Sequence, residues 1–178
     1  GLNTTIENST LTVSNDEVLR SNAGDVKIKD SNITGNDAND ASILINYSAN
    51  LEIEGKSNIK NNSNYGIRID SDTKGSVTIK GESNVEGTRY GIVNYSTGTI
   101  TLGENDSEVD RTYPCITGGE YGIYQSNSDG KLNFYDGQVK GKTGTIYGTI
   151  TEIASGYEIS KTNGDYYTDI LVKSGVEV

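Results

Sequence analysis

An apolar position recurs every 22 to 26 residues through the first half of the chain, and that spacing constrains the fold more tightly than any single motif. Thr4-Thr5-Ile6-Glu7-Asn8 aligns with Val26-Lys27-Ile28-Lys29-Asp30, Leu51-Glu52-Ile53-Glu54-Gly55 and Val77-Thr78-Ile79-Lys80-Gly81, so the central aliphatic falls at Ile6, Ile28, Ile53 and Ile79. A second element follows each of these: Ser9-Thr10-Leu11, Ser31-Asn32-Ile33, Ser57-Asn58-Ile59 and Ser83-Asn84-Val85. A third precedes them and ends in Val18, Ile43, Ile67 and Ile92, with Tyr-Gly-Ile beginning at Tyr65, Tyr90 and Tyr121.

A unit this short, alternating apolar and polar residues between Gly, Asn, Asp and Ser, cannot bury its apolar face alone and must stack on copies of itself. The pattern predicts an all-β fold: a single-stranded parallel β-helix of about six coils. Each coil lies about 4.8 Å above the last, so equivalent residues form ladders. Asn32, Asn58 and Asn84 are expected to form an amide ladder at one corner. No stretch of a dozen residues carries the 3.6-residue period of a helix. With 22 Gly and one Pro among 178 residues, the apolar side chains are sparse but concentrated in columns.

The second half departs from the regular spacing. Leu102 continues the column 23 residues after Ile79, but Phe134 follows only 32 residues later. The surplus predicts a loop insertion at 103–120, and insertions in solenoids gather on one face and commonly bind. Glu104, Asp106, Arg111 and Tyr113 are its candidate binding residues. The coils occupy 1–146. Residues 147–178 read as a terminal strand and an antiparallel hairpin turning at Asn163-Gly164, a cap over an otherwise open sheet edge. At the other end, the strand from Gly1 to Ile6 is free to stack end to end on another copy.

Gly130-Lys131-Leu132-Asn133-Phe134-Tyr135-Asp136-Gly137-Gln138-Val139-Lys140-Gly141 is preceded by Tyr121-Gly122-Ile123-Tyr124 and followed by Ile146-Tyr147-Gly148 and Gly156-Tyr157-Glu158-Ile159. This resembles the right-handed, pectate-lyase-like parallel β-helix repeats of secreted and cell-surface proteins of gut-type Gram-positive bacteria, over most of residues 16–160. The resemblance implies an extracellular or cell-surface bacterial protein, and a segment of something longer. Its architecture is shared by lyases, polygalacturonases, phage tailspikes and adhesins, so function must come from a site.

The chain has no histidine, which removes the Gly-His-Gly element of polygalacturonases, and only four arginines: Arg20, Arg68, Arg89 and Arg111. A formal charge of −10 repels polyuronates. Glycoside hydrolysis needs only a suitably spaced carboxyl pair, and Asp70 with Asp72, facing Asn46 and Asn94 from neighbouring coils, is the enzymatic candidate. No cofactor is expected. Calcium is the metal that oxygen donors would suit, with Asp106, Glu108 and Asp110 as its ligands, whereas one cysteine and no histidine make a poor zinc set.

Tyrosine carries the other signal. There are 12, against one Phe and no Trp, and Tyr65, Tyr90 and Tyr121 share a column. Stacked on successive coils they would give a flat aromatic strip with hydroxyl edges, suited to a glycan or a host or bacterial surface protein. A pI near 4.4 without a basic run excludes nucleic acid, and no apolar run approaches the roughly 18 residues of a membrane span. The sequence-level expectation is therefore a non-catalytic structural or adhesive module. The alternatives are a carboxylate-based carbohydrate-active enzyme and a fibre subunit assembling end to end.

Overall fold

The computed structural model describes residues 3–106 and 108–175 and winds them into a β-solenoid of about six turns. Among the described residues there is no helix. Three faces repeat in the order of the chain. The first, the tyrosine face, comprises residues 19–21 and 41–45 and the strands Tyr65–Ile69, Tyr90–Asn94, Tyr121–Gln125 and Gly144–Tyr147. The second, the charged face, runs from Thr4–Glu7 through residues 26–29 and 51–54 to Ser76–Ile79, Thr99–Leu102, Lys131–Phe134 and Glu152–Ile153. The third comprises Thr10–Thr12, Asn32–Gly35, Asn58–Asn61, Asn84–Gly87, Cys115–Gly118 and Gln138–Gly141.

All ladders between successive coils are parallel, and their registers align the predicted columns. Ile6, Ile28, Ile53, Ile79, Leu102, Phe134 and Ile153 pair in succession along the charged face. Leu11, Ile33, Ile59, Val85, Ile116 and Val139 do so along the third. On the tyrosine face the column is Leu19, Ile43, Ile67, Ile92, Ile123 and Ile146. Leu19 replaces the expected Val18 there. Two adjacent aliphatics leave the register open by one residue in sequence, and one residue decides which face a side chain takes. From Ile28 to Phe134 these columns are sealed, most members having no exposed surface.

The corner between the charged and third faces needs a left-handed backbone. Asn8, Asp30, Gly55 and Gly81 meet that need with φ of 49°, 48°, 67° and 64°. Asn and Asp tolerate this region among L-residues, and glycine enters it without steric cost. The hydrogen-bonded ladder beside this corner is made by serine. Buried Ser31, Ser57 and Ser83 donate their hydroxyls to the Lys29, Glu54 and Lys80 carbonyls at 2.7, 2.7 and 2.8 Å. Ser31 and Ser57 Oγ also accept the N–H groups of Ser9 and Ser31 from the coils below, at 3.1 and 3.4 Å. Asn32, Asn58 and Asn84 stand in register. Strand alternation turns them outward, opposite to the inward serine and aliphatic on either side, which corrects the expected asparagine ladder.

The insertion is shorter than the sequence suggested. Cys115–Gly118 is a regular strand of the third face, paired with Asn84–Gly87 and Gln138–Gly141, so the extra residues are 103–114. At the C-terminal end, Tyr157–Asn163 and Tyr167–Lys173 form the antiparallel hairpin. Its second strand pairs antiparallel with Gln138–Gly141, and Leu171 enters the core. The third face therefore runs two strands beyond the last coil, while the tyrosine face stops at Gly144–Tyr147. At the N-terminal end Thr4–Glu7 and Thr10–Thr12 are the outermost strands; Gly1 and Leu2 of the predicted free edge lie outside the described residues.

Candidate binding face

The three later coils turn sharply out of the third face at Gly87, Gly118 and Gly141, and three residues later enter the tyrosine face. A β-carbon on Gly118 would run into the Tyr121 carbonyl, and one on Gly87 into that of Tyr90. The turn thus delivers Tyr90 and Tyr121 at a fixed place on the outer surface. Ala41 and Gly144 occupy that column in the outer coils. A second outward column runs beside it: Arg20, Leu44, Arg68, Val93, Tyr124 and Tyr147.

The rings stack across the two columns. Tyr65 lies on Tyr90 with centroids 5.4 Å apart and planes within 4°. Tyr90 lies on Tyr124 at 4.7 Å and 9°, and Tyr124 on Tyr147 at 4.6 Å and 8°. The separations match the strand spacing of about 4.8 Å, so the solenoid sets one ring per coil. Tyr121 stands edge-on to Tyr124 and Tyr147, at 5.9 and 5.8 Å. The face is not the flat strip expected from the sequence. Stacking consumes the ring faces, Tyr65 and Tyr90 are buried, and the stack ends at Tyr147, 49% exposed.

Two ion clusters border the stack. Arg68 bridges Asp40 and Asp70, with 3.3 Å to each carboxylate, and its guanidinium lies 5.6 Å from the Tyr95 ring. Arg89 lies 4.9 Å from the Tyr90 ring, pairs with Glu120 at 3.2 Å and donates to the Tyr65 hydroxyl oxygen at 3.4 Å. Burial, with Glu120 adding, pushes the Tyr90 hydroxyl up to about 12. Burial, followed by the hydrogen bond with Tyr65, pushes Tyr95 up to about 12.

The carboxylates proposed for catalysis are placed otherwise. Asp70 is held by Arg68 and accepts the Ser71 N–H at 2.9 Å, and Asp72 is exposed in the following turn. Asn46, 8% exposed, donates to Asn22 at 2.9 Å. Asn94 does not face Asp70. It pairs with Ile69, points into the core and closes the turn by accepting the Ser96 N–H and hydroxyl at 2.9 and 2.8 Å.

Loop 103–114 is strapped down over the charged face. Asp136 accepts the N–H groups of Glu104 and Asp110 at 2.9 and 2.8 Å. Burial raises its carboxyl above the ordinary range against the pull of those two donors. Lys80 reaches Glu52 at 2.9 Å and Glu104 at 3.0 Å, and these partners, Glu52 first, hold its ammonium well above the usual lysine range. Between loop and face lies a cavity of about 620 Å³ lined by Lys29, Glu54, Lys80, Glu104, Asp110 and Tyr113 among others. Arg111 is exposed outside that lining. The proposed calcium ligands are engaged in turns: Asp106 accepts the Glu108 N–H at 2.9 Å, and Asp110 those of Thr112 and Tyr113 at 2.7 and 3.2 Å. Among the described residues no three acidic, histidine or cysteine side chains converge as a metal site. Lys80→Met is expected to cost about 1 kcal/mol or less, as befits a partly exposed pair, while limited proteolysis within 103–114 accelerates.

Sequence reasoning found Tyr65, Tyr90 and Tyr121 but passed over Tyr124, Tyr147, Arg68 and Arg89 as partners. The signal was present: the residue after each tyrosine-face isoleucine points outward and forms the second column. Comparison with protein-family models, curated sequences and solved structures finds no match to the chain.

Proposed function

We propose that the chain is a non-catalytic extracellular β-solenoid module whose tyrosine face takes a neutral glycan. The observation that carries this reading is the continuous stack Tyr65–Tyr90–Tyr124–Tyr147, open at Tyr147. The stack brings Tyr124 and Tyr147 to the surface at coil spacing, with one free ring face at its end for the apolar side of a sugar. The flanking Arg68 and Arg89 pairs supply planar donors and acceptors suited to hydroxyl groups. A formal charge of −10 favours a neutral chain over an acidic one. The bacterial surface setting rests on the likeness of the repeat.

The test is a glycan array on the purified protein, with the same polysaccharides assayed for new reducing ends. Binding without cleavage is expected. Tyr147→Ala should weaken it roughly tenfold, about 1.4 kcal/mol, with the far-UV spectrum unchanged. Release of reducing ends lost in Asp70→Asn would replace this reading with the enzymatic one. Binding indifferent to Tyr147→Ala and Tyr124→Ala would remove the tyrosine face from the account.

A further inference from the structure

The C-terminal end of the solenoid is a step. The tyrosine face ends at Gly144–Tyr147, and among the described residues no strand pairs with its outer edge. The third face continues through Tyr167–Lys173 and Tyr157–Asn163, so the tread lies more than one but less than two strand spacings, roughly 5–9 Å, below the riser. In the angle is a cavity of about 170 Å³ lined by Thr145, Ile146, Lys161, Asn163, Tyr167 and Asp169 among others. That is room for more than a single water, which needs about 10–15 Å³.

Asp169 is the unusual group there. It is only 2% exposed, sits between Val139 and Lys161 in the antiparallel ladders, and its Oδ1 has no hydrogen-bond partner among the described residues. Oδ2 lies 3.7 Å from Lys161 Nζ, on a side chain that is 73% exposed. Burying a carboxylate with an unmet oxygen is costly, and strand pairing alone calls for no charge at this position.

We propose that this step docks an extended peptide segment carrying a lysine or arginine. Its backbone adds as a strand to the free edge of Gly144–Tyr147, and its cation enters the cavity to meet the Asp169 carboxylate that lines it. A carboxylate accepts several donors at once, so Lys161 at Oδ2 and the incoming cation are compatible. A second copy stacking head to tail is the poorer occupant, because its first coil would meet the projecting hairpin before reaching the tread. A strand on this edge competes with a sugar for the open face of Tyr147, and with no Trp in the chain intrinsic tyrosine fluorescence reports docking.

The experiment uses fluorescein-labelled ten-residue peptides of alternating β-branched residues with lysine, arginine, norleucine or glutamate at the centre, titrated by anisotropy. Lysine and arginine peptides should bind at least tenfold more tightly than norleucine and glutamate peptides. Asp169→Asn, with an unchanged far-UV spectrum, should abolish that preference. Should this variant misfold, the wild type still decides, because N-methylation at alternate peptide bonds must remove binding if the segment adds as a strand. Equal binding of the norleucine peptide, tolerance of N-methylation, or no saturable binding by any peptide overturns the proposal. Self-association of the wild type that Asp169→Asn abolishes would also overturn it, giving the step to a second copy. None of these readouts involves the glycan arm, so the two readings fail separately.

Discussion

Replacing Phe134 with alanine is expected to lower the unfolding free energy by about 3–5 kcal/mol, corresponding to a fall in melting temperature on the order of 10 °C for a domain of this size. Phe134 is fully buried and stacks in the core column between Leu102 and Ile153. Its upper neighbour sits on a strand of only two residues, Glu152–Ile153, so little sheet is available to collapse into the vacated volume. In a solenoid each coil contacts only its neighbours, and damage spreads along one dimension. Hydrogen exchange should therefore accelerate first in 138–173, while 26–53 keeps its protection. Leu11→Ala is the control: an aliphatic in an equivalent ladder but in the outermost coil, 36% exposed, with an expected cost of about 1 kcal/mol or less. Chemical denaturation followed by circular dichroism compares the two. Equal losses would mean that the buried column is not where stability resides.

The contrast between these positions was legible in the sequence because burial here follows a simple rule. Alternation assigns each residue to inside or outside, and the step of 22 to 26 residues assigns it to a column. What escaped depends on details that period alone does not carry. Cys115–Gly118 was hidden in the predicted loop because Tyr113 and Pro114 stand where other coils place a serine and its neighbour, although Ile116 supplies the aliphatic. Serine and asparagine recur at the same corner, and only the pleat distinguishes the inward serine from the outward asparagine. Of the candidate site, the tyrosine column was legible and the stack was not. Tyr90 meets Tyr124 instead of Tyr121 face to face, a consequence of ring orientation across two columns. Arg68 likewise joins its near neighbour Asp70 to Asp40 of the preceding coil, and the second contact requires the coil register. The unmet carboxylate of Asp169 follows from the hairpin packing back on Gln138–Gly141, which the Asn163-Gly164 turn signals only as a hairpin.

Stability should be flat from about pH 6 to 8, since the chain has no histidine to titrate there, and should fall steeply above pH 10. The sign follows from Tyr90 and Tyr95, both pushed up to about 12 in the folded protein, first by burial, against about 10 in the unfolded chain. Between these values the folded state holds protons that the unfolded state has released, so the unfolded state binds fewer and stability decreases as pH rises. Lys27 and Lys80 act in the same direction. Their ammonium groups are raised, by Glu54 first and by Glu52 first respectively, so their contribution is complete below about 10.5 and is lost as pH climbs through the folded values. On the acid side the groups oppose one another. Glu52 is lowered, chiefly by Lys80, and loses stability on acidification, whereas Asp136, raised by burial, gains it. The acid limb should accordingly be shallow and the alkaline limb steep, which a melting series from pH 4 to 12 measures directly. Tyr90→Phe keeps the ring on Tyr65 and Tyr124 but removes one raised hydroxyl, so its alkaline limb should be less steep. A limb that begins below pH 9, or one unchanged by this substitution, would mean that the stacked hydroxyls do not govern alkaline unfolding.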